Sequence, residues 1–84
     1  MATWKIFDTK AKEYVSRFGR DSYSTKFDAE VNRDALIDML LNTAVAMEVQ
    51  ALKKKGELLT RVQPESVPNI VRNRLKKEYK VVKV

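Results

Sequence analysis

The sequence predicts an α+β fold in one small domain, residues 1–84. Three observations predict it. Residues 23–31 have a hydrophobic period of two, and the stretches at about 9–18, 33–55 and 66–79 have helical periodicity. The composition, 44% hydrophobic with two Gly and two Pro, is that of a folded chain. We therefore expect three helices over those ranges, two to four short strands, and a central middle helix.

The first predicted helix, about 9–18, depends on apolar residues at helical spacing: Phe7, Ala11, Tyr14, Val15 and Phe18. Asp8 or Thr9 is placed to cap its start, and Gly19 is placed to end it. The preceding TWKIF is too short to reveal its period. We expect it to be either a strand or the approach to this helix.

A strand is predicted at 23–31, where apolar and polar residues alternate. Asn32 then supplies a helix cap, and Gly56 ends the second helix at about Lys55. Residues 57–63 are expected to form either a strand or a single helical turn. Ser66 is placed to cap the third helix, and the terminal KVVKV either continues that helix or forms a strand, which its β-branched residues favour.

The second helix has apolar residues over much more than one face, so it must be covered on several sides. The short first helix and a few strands of the same chain are one source of that cover, but we expect a homodimer or a partner subunit to supply part of it. The predicted oligomer or partner contacts are Leu36, Leu40, Leu41, Val45 and Met47.

The positive charge is concentrated at the C-terminal end of the chain. Residues 1–52 contain seven Lys and Arg against eight Asp and Glu, whereas residues 53–84 contain ten against three. Within the basic segment, defined as residues 69–84, six cations face one acid. So strong an asymmetry in a small domain indicates an anionic partner, although a solvated cationic face would also account for it.

A helix over 66–79 would place Arg72, Lys76 and Lys80 at i+4 spacing, opposite a buried stripe of Val67, Ile70, Val71, Leu75 and Tyr79. Lys and Arg neutralise phosphates, and Asn bonds either phosphates or base edges. The predicted nucleic-acid or acidic-partner site is Arg72, Arg74, Lys76, Lys77, Lys80, Lys83, Asn69 and Asn73.

The absence of Cys and His from the sequence removes thiol catalysis, the commonest metal ligands and the commonest general base. We expect no enzyme activity, no cofactor and no metal. The longest uncharged stretch, 39–47, is short of a bilayer span, so we expect no membrane partner and a cytoplasmic location.

Composition and charge together predict a small non-enzymatic nucleic-acid-binding protein that contacts phosphates without sequence preference. The alternative is a structural or accessory subunit of a multiprotein assembly, for example of a viral particle. In that case the basic segment would dock on an acidic protein neighbour.

Overall fold

A computed structural model describes residues 3–17 and 19–84. The described chain is α+β, with two α-helices and a three-stranded antiparallel sheet. In chain order the elements are β1 (Trp4–Asp8), β2 (Glu13–Tyr14), α1 (Lys26–Lys55), a 3₁₀ turn (Pro64–Ser66), α2 (Val67–Glu78) and β3 (Tyr79–Lys83). The expectation of three helices is therefore wrong.

The helix α1 begins earlier than predicted because Thr25, and not Asn32, is its N-cap. The Thr25 hydroxyl accepts a 3.1 Å hydrogen bond from the backbone N–H of Asp28. The Asn32 side chain instead donates to the Asp28 carbonyl inside the helix, at 2.8 Å. At the other end Gly56, with φ 70°, ends the helix as expected.

The strand predicted at 23–31 is wrong because most of this stretch belongs to α1. Its alternation does not separate buried from exposed residues: Ala29 is buried, whereas Phe27 and Val31 are exposed. Tyr23 pairs with Trp4 through two 2.8 Å backbone hydrogen bonds and then leads into the helix. A good cap therefore prevails over a short period-two pattern.

The helix predicted at 9–18 is also wrong over the described residues, and Phe18 lies outside them. Asp8 Oδ1 accepts hydrogen bonds from the N–H groups of Lys10 and Ala11, which fold the chain into a turn. Lys12 then adopts φ 59°, which a right-handed helix does not allow. Tyr14 consequently lies opposite Phe7 in a neighbouring strand.

The last third of the chain follows the prediction more closely. The helix α2 and the strand β3 occupy 67–78 and 79–83, so KVVKV takes the favoured strand form. Residues 57–63 form neither expected element, since only Leu58 and Val62 make an isolated bridge, with Leu59 at φ 71°. Ser66 is the N-cap of α2, but its side chain makes no capping bond.

The sheet has the strand order β2–β1–β3, with both pairs antiparallel. One of its faces packs on the N-terminal part of α1 through a cluster of Ile6, Tyr23 and Ala29. A second cluster joins α1 to α2 through Ile37, Leu52, Val67, Val71 and Leu75. Tyr79 packs against both clusters, and α1 contributes residues to each of them.

By length and composition alone, α1 could cross a membrane. Of its five carboxylates, Asp38 and Glu48 lie in its apolar stretch, and each of these two is ion-paired with α2. A carboxylate costs about 2.5–3.5 kcal/mol at the centre of a membrane helix. These ion pairs therefore favour packing of α1 against protein.

Candidate nucleic-acid interface

The two arginines of the basic segment bind α2 to α1. Arg72 Nη1 lies 2.6 Å from Asp38 Oδ1, and Arg74 Nη1 lies 2.8 Å from Glu48 Oε2. The hydrogen bond from Arg74 lowers the pKa of Glu48, and the same bond raises the pKa of Arg74. Both guanidinium groups are therefore already engaged with carboxylates of the same chain.

The four lysines of the basic segment have no such partners. Lys76, Lys77, Lys80 and Lys83 are exposed, and none makes an ion pair within residues 3–17 and 19–84. Their ammonium groups are therefore available to an anion from outside the chain.

The helix ends before Lys80, so the predicted row of Arg72, Lys76 and Lys80 along one helix does not form. Lys76 and Lys77 occupy the last turn of α2, while Lys80 and Lys83 lie three positions apart on β3. Side chains alternate along a strand, and these two consequently belong to opposite faces of the sheet. We define the lysine surface as Lys76, Lys77 and Lys80.

The two predicted amide residues lie on the exposed side of α2. Asn69, Asn73 and Lys77 follow one another at i+4 spacing, and all three are exposed. Ile70, which the sequence places in the buried stripe, is 41% exposed and also belongs to this side. The buried stripe is instead Val67, Val71 and Leu75.

The predicted oligomer contacts have mixed environments. Leu40, Leu41 and Val45 pack against the α1–α2 cluster of the same chain, and Leu36 is half-buried. Met47 is 68% exposed. Other exposed apolar side chains of α1 lie at Phe27, Val31 and Met39, so the helix does present apolar surface, but mostly through residues that the sequence pattern did not single out.

A groove of about 340 Å³ lies beside Met47, where α1 meets α2. Its apolar wall includes Ala44, Ala51 and Leu75. The ion pair between Arg74 and Glu48 also lines it. A charged ligand could bind these groups only by breaking that pair. Within the described ranges no group of three or more acidic residues is placed to hold a metal ion.

The outer face of the sheet contains functional candidates that the sequence pattern missed. We define this open face as the side chains that point away from α1: Lys5, Phe7, Tyr14, Lys80 and Val82. The sequence pattern places Phe7 and Tyr14 on the apolar side of a helix at about 9–18. A strand assignment for TWKIF would have placed Lys5 and Phe7 together on one face, since they are two positions apart.

Comparison of this chain with protein-family models, curated proteins and solved structures found no match.

Proposed function

We propose that this chain is a small non-enzymatic nucleic-acid-binding protein whose lysine surface makes sequence-independent phosphate contacts. The observation that carries the proposal is that some cations of the basic segment are ion-paired within the chain and others are not. Arg72 and Arg74 have carboxylate partners on α1, whereas Lys76, Lys77 and Lys80 have none within the described residues.

The arrangement of the lysines supports phosphate binding in particular. Two lysines in the last helical turn and one at the start of the next strand give several ammonium groups within a few residues of chain. Each phosphate neutralised by a lysine releases condensed counterions, so such contacts add affinity without base recognition. Asn69 and Asn73 on the exposed side of α2 can donate further hydrogen bonds to phosphate oxygens.

A pair of matched double substitutions tests this function. Lys76→Gln with Lys77→Gln removes two cations from the last turn of α2. Lys53→Gln with Lys54→Gln removes the same charge from the last turn of α1. Both pairs lose the same favourable interaction with a helix dipole. The first variant should bind duplex DNA more weakly than the second at every sequence tested. Equal losses would show that net charge alone determines binding and would overturn the proposal.

Exposed apolar residues on α1 favour a second function, that of a subunit in a multiprotein assembly. Met39 and Met47 are 64% and 68% exposed, and Phe27 and Val31 are also exposed. The double substitution Met39→Lys with Met47→Lys should then release the chain from self-association or from a partner. A native mass that stays monomeric at high concentration, together with no co-purifying protein, would end this second proposal.

A further inference from the structure

We propose that the open face of the sheet binds the bases of single-stranded nucleic acid by stacking. This inference rests on the function proposed above and adds the substrate class: a single strand whose bases contact Phe7 and Tyr14, with the lysine surface contacting its phosphates.

The strand register brings the aromatic and basic side chains together. Phe7 pairs with Tyr14 of β2 on one side and with Lys80 of β3 on the other, and Lys5 pairs with Val82. Directly paired residues share a face of the sheet. The opposite face carries Ile6 and Val81, which pack toward α1. The open face therefore carries Tyr14, Phe7 and Lys80 side by side across the three strands, with Lys5 two positions from Phe7 along β1.

Tyr14 is the more exposed of the two rings and is the one available for stacking. Their centroids are 5.3 Å apart with an interplanar angle of 68°, so the edge of one ring meets the face of the other. Tyr14 is 48% exposed and lies on a two-residue edge strand. Bases of a single strand can approach this ring, whereas the bases of a duplex are already stacked on each other.

A lysine now occupies the place that we assign to a base. Lys5 Nζ lies 4.9 Å from the centroid of the Tyr14 ring. Exposed cation–π contacts are weaker than the stacking of a base on an aromatic side chain. A base should therefore displace the ammonium group, which would then be free to contact a neighbouring phosphate.

The charges of the sheet suit a polyanion on this face. Lys5 and Lys80 lie on it, whereas Asp8 and Glu13 pair with each other on the other face. None of the described strand residues on the open face is acidic. Lys80 also belongs to the lysine surface. A single-stranded nucleic acid that stacks a base on Tyr14 can therefore extend its next phosphates toward Lys77 and Lys76.

Three oligonucleotides separate stacking from phosphate binding: a single-stranded oligothymidylate, an abasic strand with the same number of phosphates, and a duplex of equal length. Fluorescence anisotropy of labelled oligonucleotides gives the affinity for each. We expect the oligothymidylate to bind more tightly than the abasic strand. Tyr14→Leu should weaken oligothymidylate binding by about 5- to 150-fold, the equivalent of one lost base stack.

Several controls separate the loss of base stacking from a loss of phosphate binding or of the fold. Tyr14→Leu should leave the abasic strand and the duplex unaffected, and Tyr14→Phe should keep the affinity of the unsubstituted chain for oligothymidylate. Circular dichroism of both variants shows whether the fold is retained, and Phe7→Leu is a second ring deletion if Tyr14→Leu does not fold.

Failure of this inference is distinguishable from failure of the proposed function. Equal binding of oligothymidylate and the abasic strand, unchanged by Tyr14→Leu, would overturn the stacking site and leave phosphate binding intact. Absence of binding to all three oligonucleotides at about 50 mM salt, where phosphate contacts are strong, would overturn both. Binding of polyglutamate in place of all three would identify the surface as a docking site for an acidic protein.

Discussion

Arg74 on α2 and Glu48 on α1 form an ion pair in which Nη1 lies 2.8 Å from Oε2. The glutamate side chain is largely buried, at 18% exposure, while that of the arginine is half-exposed. With Arg72 and Asp38 making a similar bond, α2 is held to α1 by two charged contacts in addition to the buried Val67, Val71 and Leu75. The same helix is thus bound to α1 on one side and presents lysines on the other.

Removing the Glu48 charge should make stability depend less on pH. Arg74 lowers the pKa of Glu48 below its ordinary 4.5, so the pair stabilises the fold above that pH. The stabilisation is lost as the pH falls through the lowered pKa. We expect Glu48→Gln to cost about 1 kcal/mol or less at pH 7, because the arginine is half-exposed. Urea unfolding from pH 7 to pH 3 should show this difference shrinking. A constant difference over that range would contradict the account.

The position of a residue on α1 should determine the cost of truncating it. Ile37 is fully buried in the α1–α2 cluster, whereas Met39 points into solvent. Ile37→Ala should lower the free energy of unfolding by about 2–5 kcal/mol, through lost transfer energy and a cavity. Met39→Ala, the matched control two positions away, should change it by about 0.5 kcal/mol or less in the monomer. Equal costs in chemical denaturation would show that α1 is rotated from this packing.

The start of α1 is tested at Thr25, whose hydroxyl caps the helix. Thr25→Ala should cost about 1 kcal/mol, within a range of 0.5–2. Ser24→Ala, one position earlier, should cost much less. Amide hydrogen exchange gives an independent check, because residues 30–32 should be protected as part of the helix. If these amides exchange as in an open chain and Thr25→Ala has no effect, the helix begins later.

The sequence predicted those elements whose determinants are local. Gly56 ends α1 through its own backbone preference, and helical spacing identified the buried residues Val67, Val71 and Leu75 of α2, although it also included the exposed Ile70. The strand form of β3 agrees with its β-branched residues.

The strand predicted at 23–31 was wrong because of a local determinant, the Thr25 cap, whereas the helix predicted at 9–18 was wrong because of pairing with a distant strand. Phe7 and Tyr14 fit the spacing of a helix, but the Asp8 turn and the positive φ of Lys12 place them in paired strands. Local periodicity cannot separate these two arrangements over ten residues, because the β1–β3 pairing that selects the sheet involves residues near the other end of the chain.

The sequence predicted which cations belong to the candidate site, but it did not predict which of them are ion-paired within the chain. The count of cations in residues 69–84 required no structure. Which of them are engaged depends on Asp38 and Glu48, which are 34 and 26 residues away in the chain from their arginine partners. No pattern within the basic segment distinguishes Arg74 from Lys76 in this respect.

The salt dependence of oligothymidylate binding tests phosphate recognition by the lysine surface most directly. Three phosphate contacts from the lysine surface, with a fourth from the displaced Lys5, predict that log affinity falls against log salt with a slope of about −2 to −3 on a single strand. Lys76→Gln with Lys77→Gln should reduce the magnitude of that slope by about 1.4, since each contact contributes about 0.7. A slope near zero, or a slope that this double substitution leaves unchanged, would contradict the account.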